Sequence, residues 1–314
     1  MPAVLRGKSM GKVTLLDKLK SRKAQRTMFI IGMLSLPILQ FVVFFIYVNI
    51  NTIAMSFQDL RPNAPKGFRL VNYRNFLFDL RSNNRFLYAL RNSFLFGLND
   101  LFLLFISLVL AYFFYKKIRW TPFFRIVFFL PSIISIVIFI TAYQNMFNMG
   151  VVDSLLNVFG IKKLPDWFAN TSPWLTPLIM LYCLWVGTGY NVLIMGGAMG
   201  NLPEDVMEYS RLEGVGYVNE FFRVVIPMIW PTVTVGVLGS ITVMFTLFLQ
   251  VDLMTVDGGT YGQAMTIAYM INGFVKSRDL GRASTYGVIF TVIAIPIIVA
   301  IRKALDKIGA HFGV

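Results

Sequence analysis

The chain has almost none of the side chains that enzymes and metalloproteins work with. Its 314 residues include one cysteine, Cys183, and one histidine, His311. A lone cysteine inside an apolar run excludes a disulfide framework and any cysteine-based metal site. The histidine sits in the C-terminal tail, with no second ligand or acid–base partner beside it, so no metal site is expected. Neither H-E-x-x-H nor G-x-S-x-G occurs, which leaves zinc-peptidase and serine-hydrolase chemistry without support. Gly7-Lys8-Ser9 invites a phosphate-loop reading, but the full motif needs a glycine at position 2, where Pro2 stands. Nucleotide hydrolysis by the chain itself, and hence an enzyme, is therefore not expected. Charge is scarce too, at 14% of residues, against about 25% in soluble domains. What charge there is leans basic, with a formal net of +14.

Apolar residues make up 56% of the chain and aromatics 15%. They are gathered into runs that meet the roughly 20-residue length needed to cross a bilayer. The expected fold is an all-α integral membrane protein with about six transmembrane helices: 28–50, 93–114, 123–143, 174–197, 229–250 and 284–301. The first run exceeds the core of a signal peptide and has no small-residue cleavage pattern after it. Prolines fall inside several runs (Pro37, Pro131, Pro177, Pro296), which bundled membrane helices tolerate. The remaining divisions are a basic tail at 1–27, an outer loop with an interfacial elbow at 51–92, and a tail at 302–314. No nucleic-acid partner is implied.

Orientation follows from the cations. Arg6, Lys8, Lys12, Lys18, Lys20, Arg22, Lys23 and Arg26 precede the first span. Lys116, Lys117 and Arg119 lie between the second and third, and Arg302, Lys303 and Lys307 follow the sixth. With an even number of spans these fall on one side, so both termini are expected in the cytoplasm. The loop bearing Arg61, Lys66, Arg69, Arg74, Arg81 and Arg85 is the exception. Phe76, Leu80, Phe86, Leu87 and Leu90 in and after it suggest an apolar stripe lying at the bilayer surface, with arginines snorkelling away.

The loop at 202–231, between the fourth and fifth spans, has the opposite charge. It carries Glu204, Asp205, Glu208, Glu213 and Glu220 against Arg211 and Arg223. That sign suits a protein partner better than anionic headgroups. Residues 204–213 and 217–225 are each long enough for two to three helical turns. Gly214 and Gly216 permit a sharp bend between them. Val206, Tyr209 and Leu212 give the first helix an apolar face, and Phe221, Phe222 and Val225 the second. Pro227 and Pro231 restrict the chain where it re-enters the bilayer.

This stretch resembles the EAA loop of the membrane subunits of bacterial ABC importers. Glu208 stands at the E, Tyr209 and Ser210 at the two small positions, and Glu213-Gly214 at the DG pair. Phe221, Pro227 and Pro231 follow at the family spacing, behind Leu202-Pro203. Tyr209, Glu213 and Val215-Gly216 depart from the usual residues. The likeness extends from about Asn72 to Ile308, through FFLPSIIS and DGGTYGQ, and is nearest to the maltose-type first permease of carbohydrate systems. It implies a permease subunit of the cytoplasmic membrane that works by alternating access. It further implies a second related permease, two ATPase subunits that hold the ATP and Mg, and an extracytoplasmic binding protein. Coupling to the ATPase is then assigned to Glu208, Tyr209, Ser210, Glu213, Gly214, Phe221 and Pro227.

Polar groups within the spans are the last signal. Tyr182, Trp185, Tyr190, Asn191 and Gln250 combine aromatic faces with amides, as sugar recognition requires, and are candidates for the solute path. Helix–helix hydrogen bonds and interfacial belts are the competing reading. Thr232, Thr234, Ser240, Thr242 and Thr246 form a hydroxyl stripe along the fifth span. Asp100, beside Asn99, is expected to tie helices together. A secondary transporter or channel for a small polar solute is the alternative. It would need ion-coupling carboxylates, of which Asp100 is the one strong candidate, and no inverted repeat is visible.

Overall fold

The computed structural model describes residues 22–60, 67–117, 119–160 and 166–313. Most of the basic tail, with Gly7-Lys8-Ser9, lies outside the described residues, as do Arg61, Lys66 and the side chains of Lys23 and Arg211. Every regular element among the described residues is helical, apart from an isolated antiparallel bridge between Gln58 and Phe68.

The chain divides into two units, residues 1–54 and 55–314. The first holds most of helix α1, which runs through Arg22–Phe41, a π-helical stretch Val42–Tyr47, and Val48–Ser56. Its side chains from Met28 to Ile50 are exposed and nearly all apolar. A helix apolar all round suits lipid. It outruns the expected 28–50 at both ends. Near its end Asn49 and Thr52 donate back to the carbonyls of Phe45 and Val48.

The second unit contains α2 (Val71–Ser82), α3 (Asn84–Tyr115), α4 (Thr121–Ile133), α5 (Ile136–Asn148), α6 (Val151–Val158) and α7 (Leu175–Gly200). There follow α8 (Glu204–Leu212), α9 (Tyr217–Met228), α10 (Trp230–Thr246), α11 (Leu249–Met254), α12 (Ile267–Lys276) and α13 (Leu280–His311). Among the described residues four helices are long and apolar enough to cross a membrane, and six spans result if each bent pair counts as one.

α3 is the centre of this unit and packs on α7 and α10. Small residues let the backbones approach, as membrane bundles require. A Cβ built on Gly189 of α7 would lie 2.3 Å from the Phe128 carbonyl oxygen of α4, and one on Gly187 would lie 2.4 Å from Leu103 Cδ1 of α3.

Three expectations need correction. The run 123–143 is not one straight span: α4 and α5 meet at 111°, because Ile134 and Ser135 are extended (ψ 144° and 132°). Pro131 supplies no N–H to the last turn of α4 and so weakens it. The run 229–250 stops at Thr246. Leu247 is extended, its carbonyl accepts Thr266 Oγ1 at 2.6 Å, and Gln250 belongs to the separate α11. The elbow is not a surface stripe either. Asn83 caps α3 by accepting from the Arg85 N–H, so the second span starts at Asn84 rather than 93. Phe86 is fully buried. Phe76 stands edge-on to Phe86 and Tyr286, at 5.4 and 5.1 Å between centroids. Only Leu80 and Leu87 of the proposed stripe are well exposed.

Candidate functional site

The acidic segment is built as a bent pair of helices with two unlike faces. Glu204 and Asp205 open α8, where carboxylates complement the positive end of the helix dipole. The helix ends at Gly214, whose φ of +71° takes the left-handed conformation. The Val215 N–H then donates to Ser210 O at 3.1 Å, the six-to-one bond of a Schellman stop. Gly216 is extended (φ −68°, ψ 154°) and leads into α9. Within α9, Phe221–Val225 is a π-helical turn. The bend to α10 is 83° and falls between Pro227 and Pro231. Of the two glycines expected to make the turn, Gly214 alone needs its special conformation.

One face of this segment is fastened to the bundle. Met207 of α8 and Phe221 and Val225 of α9 are buried in one cluster. Their neighbours are Leu104, Leu108, Ala111 and Phe114 of α3, and Val192, Met195 and Met199 of α7. Ser210 is buried on the same side, and its hydroxyl has no partner among the described residues. The opposite face is open. Glu204, Asp205, Glu208 and Glu213 are exposed there. Beside them stand Tyr209 at 65%, Leu212 at 87%, Tyr217, Val218 and Phe222. The apolar positions Val206, Tyr209 and Leu212 therefore face away from the bundle, and Phe222 does not share the buried face of Phe221 and Val225. An exposed ridge of carboxylates and large apolar groups is a surface suited to a partner.

Glu220 breaks with the other acids of the segment. It is buried and ion-paired with Lys116 at the end of α3, both side chains being almost closed to solvent. Lys116 Nζ also lies 5.5 and 5.7 Å from the ring centroids of Tyr112 and Tyr217. Tyr112 donates to the Tyr217 carbonyl at 3.2 Å and lies 5.0 Å from the Phe221 ring. Removing one member of such a buried pair costs about 3–5 kcal/mol. On sequence alone Glu220 is one of five acids in the segment and is not set apart from the other four. The available signal was its position next to Phe221 and four residues before Val224, on the turn that carries the buried side chains.

The solute-path candidates are dispersed. Tyr182 is buried in a cluster with Tyr143 and Phe139, at 5.4 and 5.8 Å, and Trp185 packs on Phe139 at 5.1 Å. The Tyr182 hydroxyl has no partner among the described residues. Tyr190 is exposed, and Asn191 donates to Gly187 O of its own helix. Gln250 is half-buried on α11. Ser240, Thr242 and Thr246 donate to carbonyls four residues back, so these three hydroxyls of the stripe are satisfied within α10. Asp100 is half-buried beside Ser240 of α10, and Asn99 donates to Met180 O, which ties α3 to α7.

At the other end of α3 the loop 255–266 forms a dense hub. Asp257, Gly258, Gly259, Tyr261 and Gly262 all have positive φ. Asn92 of α3 donates to the carbonyls of Gln263 and Met265, and Gln263 donates to those of Asn170 and Ser172. Beside the hub is an amide-lined cavity of about 550 Å³, with Gln144, Asn145, Asn148, Asn170 and Thr255 in its wall. On sequence alone nothing joins Gln144, Asn145 and Asn148 of α5 to Asn170 and Thr255, which only the fold brings to one wall.

Residues 103–308 match the family model for the binding-protein-dependent transport system inner membrane component. The chain belongs to this family. It is thus a membrane-embedded permease subunit of an ABC importer, and the matched stretch contains the whole acidic segment. The permease is 26% identical over 268 residues to the probable ABC transporter permease protein YurN of Bacillus subtilis (strain 168), covering 82% of this chain and 90% of YurN. It is 26% identical over 266 residues to the arabinooligosaccharides transport system permease protein AraP of Halalkalibacterium halodurans, covering 82% and 81%. Its fold matches a chain of a bacterial alginate ABC transporter, solved in complex with an alginate pentasaccharide-bound periplasmic protein. That match has a TM-score of 0.77 at 18% identity, over 93% of this chain and 98% of the other.

Proposed function

We propose that this permease carries a carbohydrate, of oligosaccharide size, across the cytoplasmic membrane, and that α8 and α9 are where a separate ATPase grips it. The observation that carries the reading is the two-faced segment. Its inner side chains Met207, Phe221 and Val225 are locked into α3 and α7, while Glu208, Tyr209 and Glu213 stand free outside. Gly214 sets the bend, Ser210 and Pro227 hold the flanks, and the carboxylates meet a basic groove on the partner. The substrate class rests on relatives such as AraP and on the alginate importer with the same fold.

In this reading a second, related permease completes the pathway, two ATPase subunits bind the ATP and Mg, and an extracytoplasmic binding protein delivers the solute. The chain itself catalyses no reaction. ATP closes the ATPase pair, α8 and α9 follow, and the bundle turns its path outward; hydrolysis restores the inward state. Each ligand acts through its unequal affinity for the two states. The segment's end is assigned to the cytoplasm, together with the chain termini. Lys116, Lys117 and Arg119 lie at that end, and Trp230 donates to Leu305 O there, which brings Arg302, Lys303 and Lys307 with it. The exceptional outer arginines are partly neutralised, Arg85 by Asp257 at 2.8 Å. The amide-lined cavity is the outer vestibule, and Trp185, Tyr190, Asn191, Gln250 and the unpartnered Tyr182 hydroxyl are assigned to the path beyond it.

The test is co-purification and uptake with the complete transporter. Glu208→Lys combined with Gly214→Asp should abolish ATPase capture and solute uptake while the permease still accumulates in the membrane. Wild-type capture and uptake in that variant would refute the assignment.

A further inference from the structure

We infer that the buried Lys116–Glu220 ion pair is the joint that passes movement of α9 into α3. This rests on the coupling role proposed for α8 and α9, and adds to it the residues that keep the segment in register with the bundle.

The argument begins with position. Of the five acids in the segment, four are exposed and one is sealed against a lysine of another helix. A buried pair is weak evidence for stability, because the desolvation of both charges offsets their attraction. Its best-attested use is to fix register between packed elements. Apolar contacts alone would not do this, since they are non-directional and allow sliding. Phe221 and Val225, the other contacts of α9 with the bundle cluster, are of that kind.

Lys116 is also well placed to transmit force. It is the C-terminal cap of α3, and its N–H bonds to Tyr112 O at 3.0 Å, so the charge is fixed to the helix axis rather than to a loop. A cation at a helix C-terminus is favoured by the dipole. Tyr112 and Tyr217, one from each helix, stand beside the ammonium on either side of the junction. The Tyr112 hydroxyl adds a second strut to the Tyr217 carbonyl. Glu220 immediately precedes the π-helical turn Phe221–Val225. The joint therefore lies on the partner-facing side of that wider turn. Motion from the ATPase side meets α3 before the turn can absorb it.

The experiment uses the complete transporter in liposomes, with ATPase capture, ATP turnover and solute uptake measured on the same preparation. Lys116→Met and Glu220→Gln should each capture ATPase normally yet import roughly tenfold less solute per ATP hydrolysed. Lys116→Arg and the exchanged pair Lys116→Glu with Glu220→Lys should restore most of that ratio. An unchanged ratio in both single variants, or an exchanged pair as defective as either, would overturn the inference. If a single variant fails to accumulate, the doubly neutral Lys116→Met with Glu220→Gln leaves no buried charge unpaired. Loss of coupling in that variant supports the joint, and wild-type coupling overturns it. If wild-type permease captured no ATPase, the coupling role itself would fall, and the joint with it.

Discussion

At its first turns α3 meets the 255–266 loop through side chains that donate to backbone carbonyls, whereas at its last turns it meets α8 and α9 through apolar packing and one ion pair. At this contact the loop carbonyls are supplied with donors, although Asn92 Oδ1 is buried without a partner among the described residues. Asn92 serves two carbonyls, the Ser93 hydroxyl accepts the Ile267 N–H at 2.9 Å, and Thr176 also donates to Gln263 O. The inner contact leaves half of its own surface open, with Tyr209 and Leu212 facing outward. The difference separates a strut held within one chain from a segment that leaves one face open, as the proposed ATPase handle requires.

Changes at the two ends should therefore fail differently. The largest effect is expected at the hub. Asn92→Leu leaves the Met265 carbonyl without its side-chain donor and Gln263 O with Thr176 alone, and should lower stability by about 3 kcal/mol, read by denaturation in detergent, with ATPase capture per folded molecule unchanged. Next comes the inner face of the handle. Met207→Ala opens a cavity beneath α8 and should cost about 2 kcal/mol, with capture also weakened because the helix is no longer seated. Gly214→Ala meets no neighbouring atom, so its cost is conformational alone, about 1 kcal/mol for a left-handed alanine. It should appear chiefly as reduced capture. Leu212→Ser should move stability by less than about 0.5 kcal/mol yet reduce ATPase capture. A stability loss at Leu212 as large as that at Met207 would erase the distinction between the two faces.

The long apolar runs made the membrane helices legible, and charge sign with glycine and proline spacing made the bent acidic segment legible. What was hidden depended on contacts distant in sequence. The break at Ile134–Ser135 falls inside an apolar run interrupted only by Pro131, Ser132 and Ser135, and Pro131 is one of several intraspan prolines that the other helices accommodate. The end of α10 is set by Thr266, which bonds to Leu247 from 19 residues away. Asp79 accepts from Arg282 at 2.7 Å across 203 residues, turning an apparent surface elbow into part of the core. Period and composition report which residues avoid water. They do not report which acid among five has a lysine waiting on another helix, and so Glu220 was grouped with Glu208.

α3 has 32 residues and contains no proline, unlike α1, α7, α10 and α13. At about 1.5 Å per residue it spans roughly 48 Å, well beyond a hydrocarbon layer of about 30 Å. It has no proline to kink it, so it joins its two ends more directly than the proline-bearing helices do. Under the coupling proposed above, torsion applied near Lys116 would be carried along this helix toward Asn92 and the loop it holds.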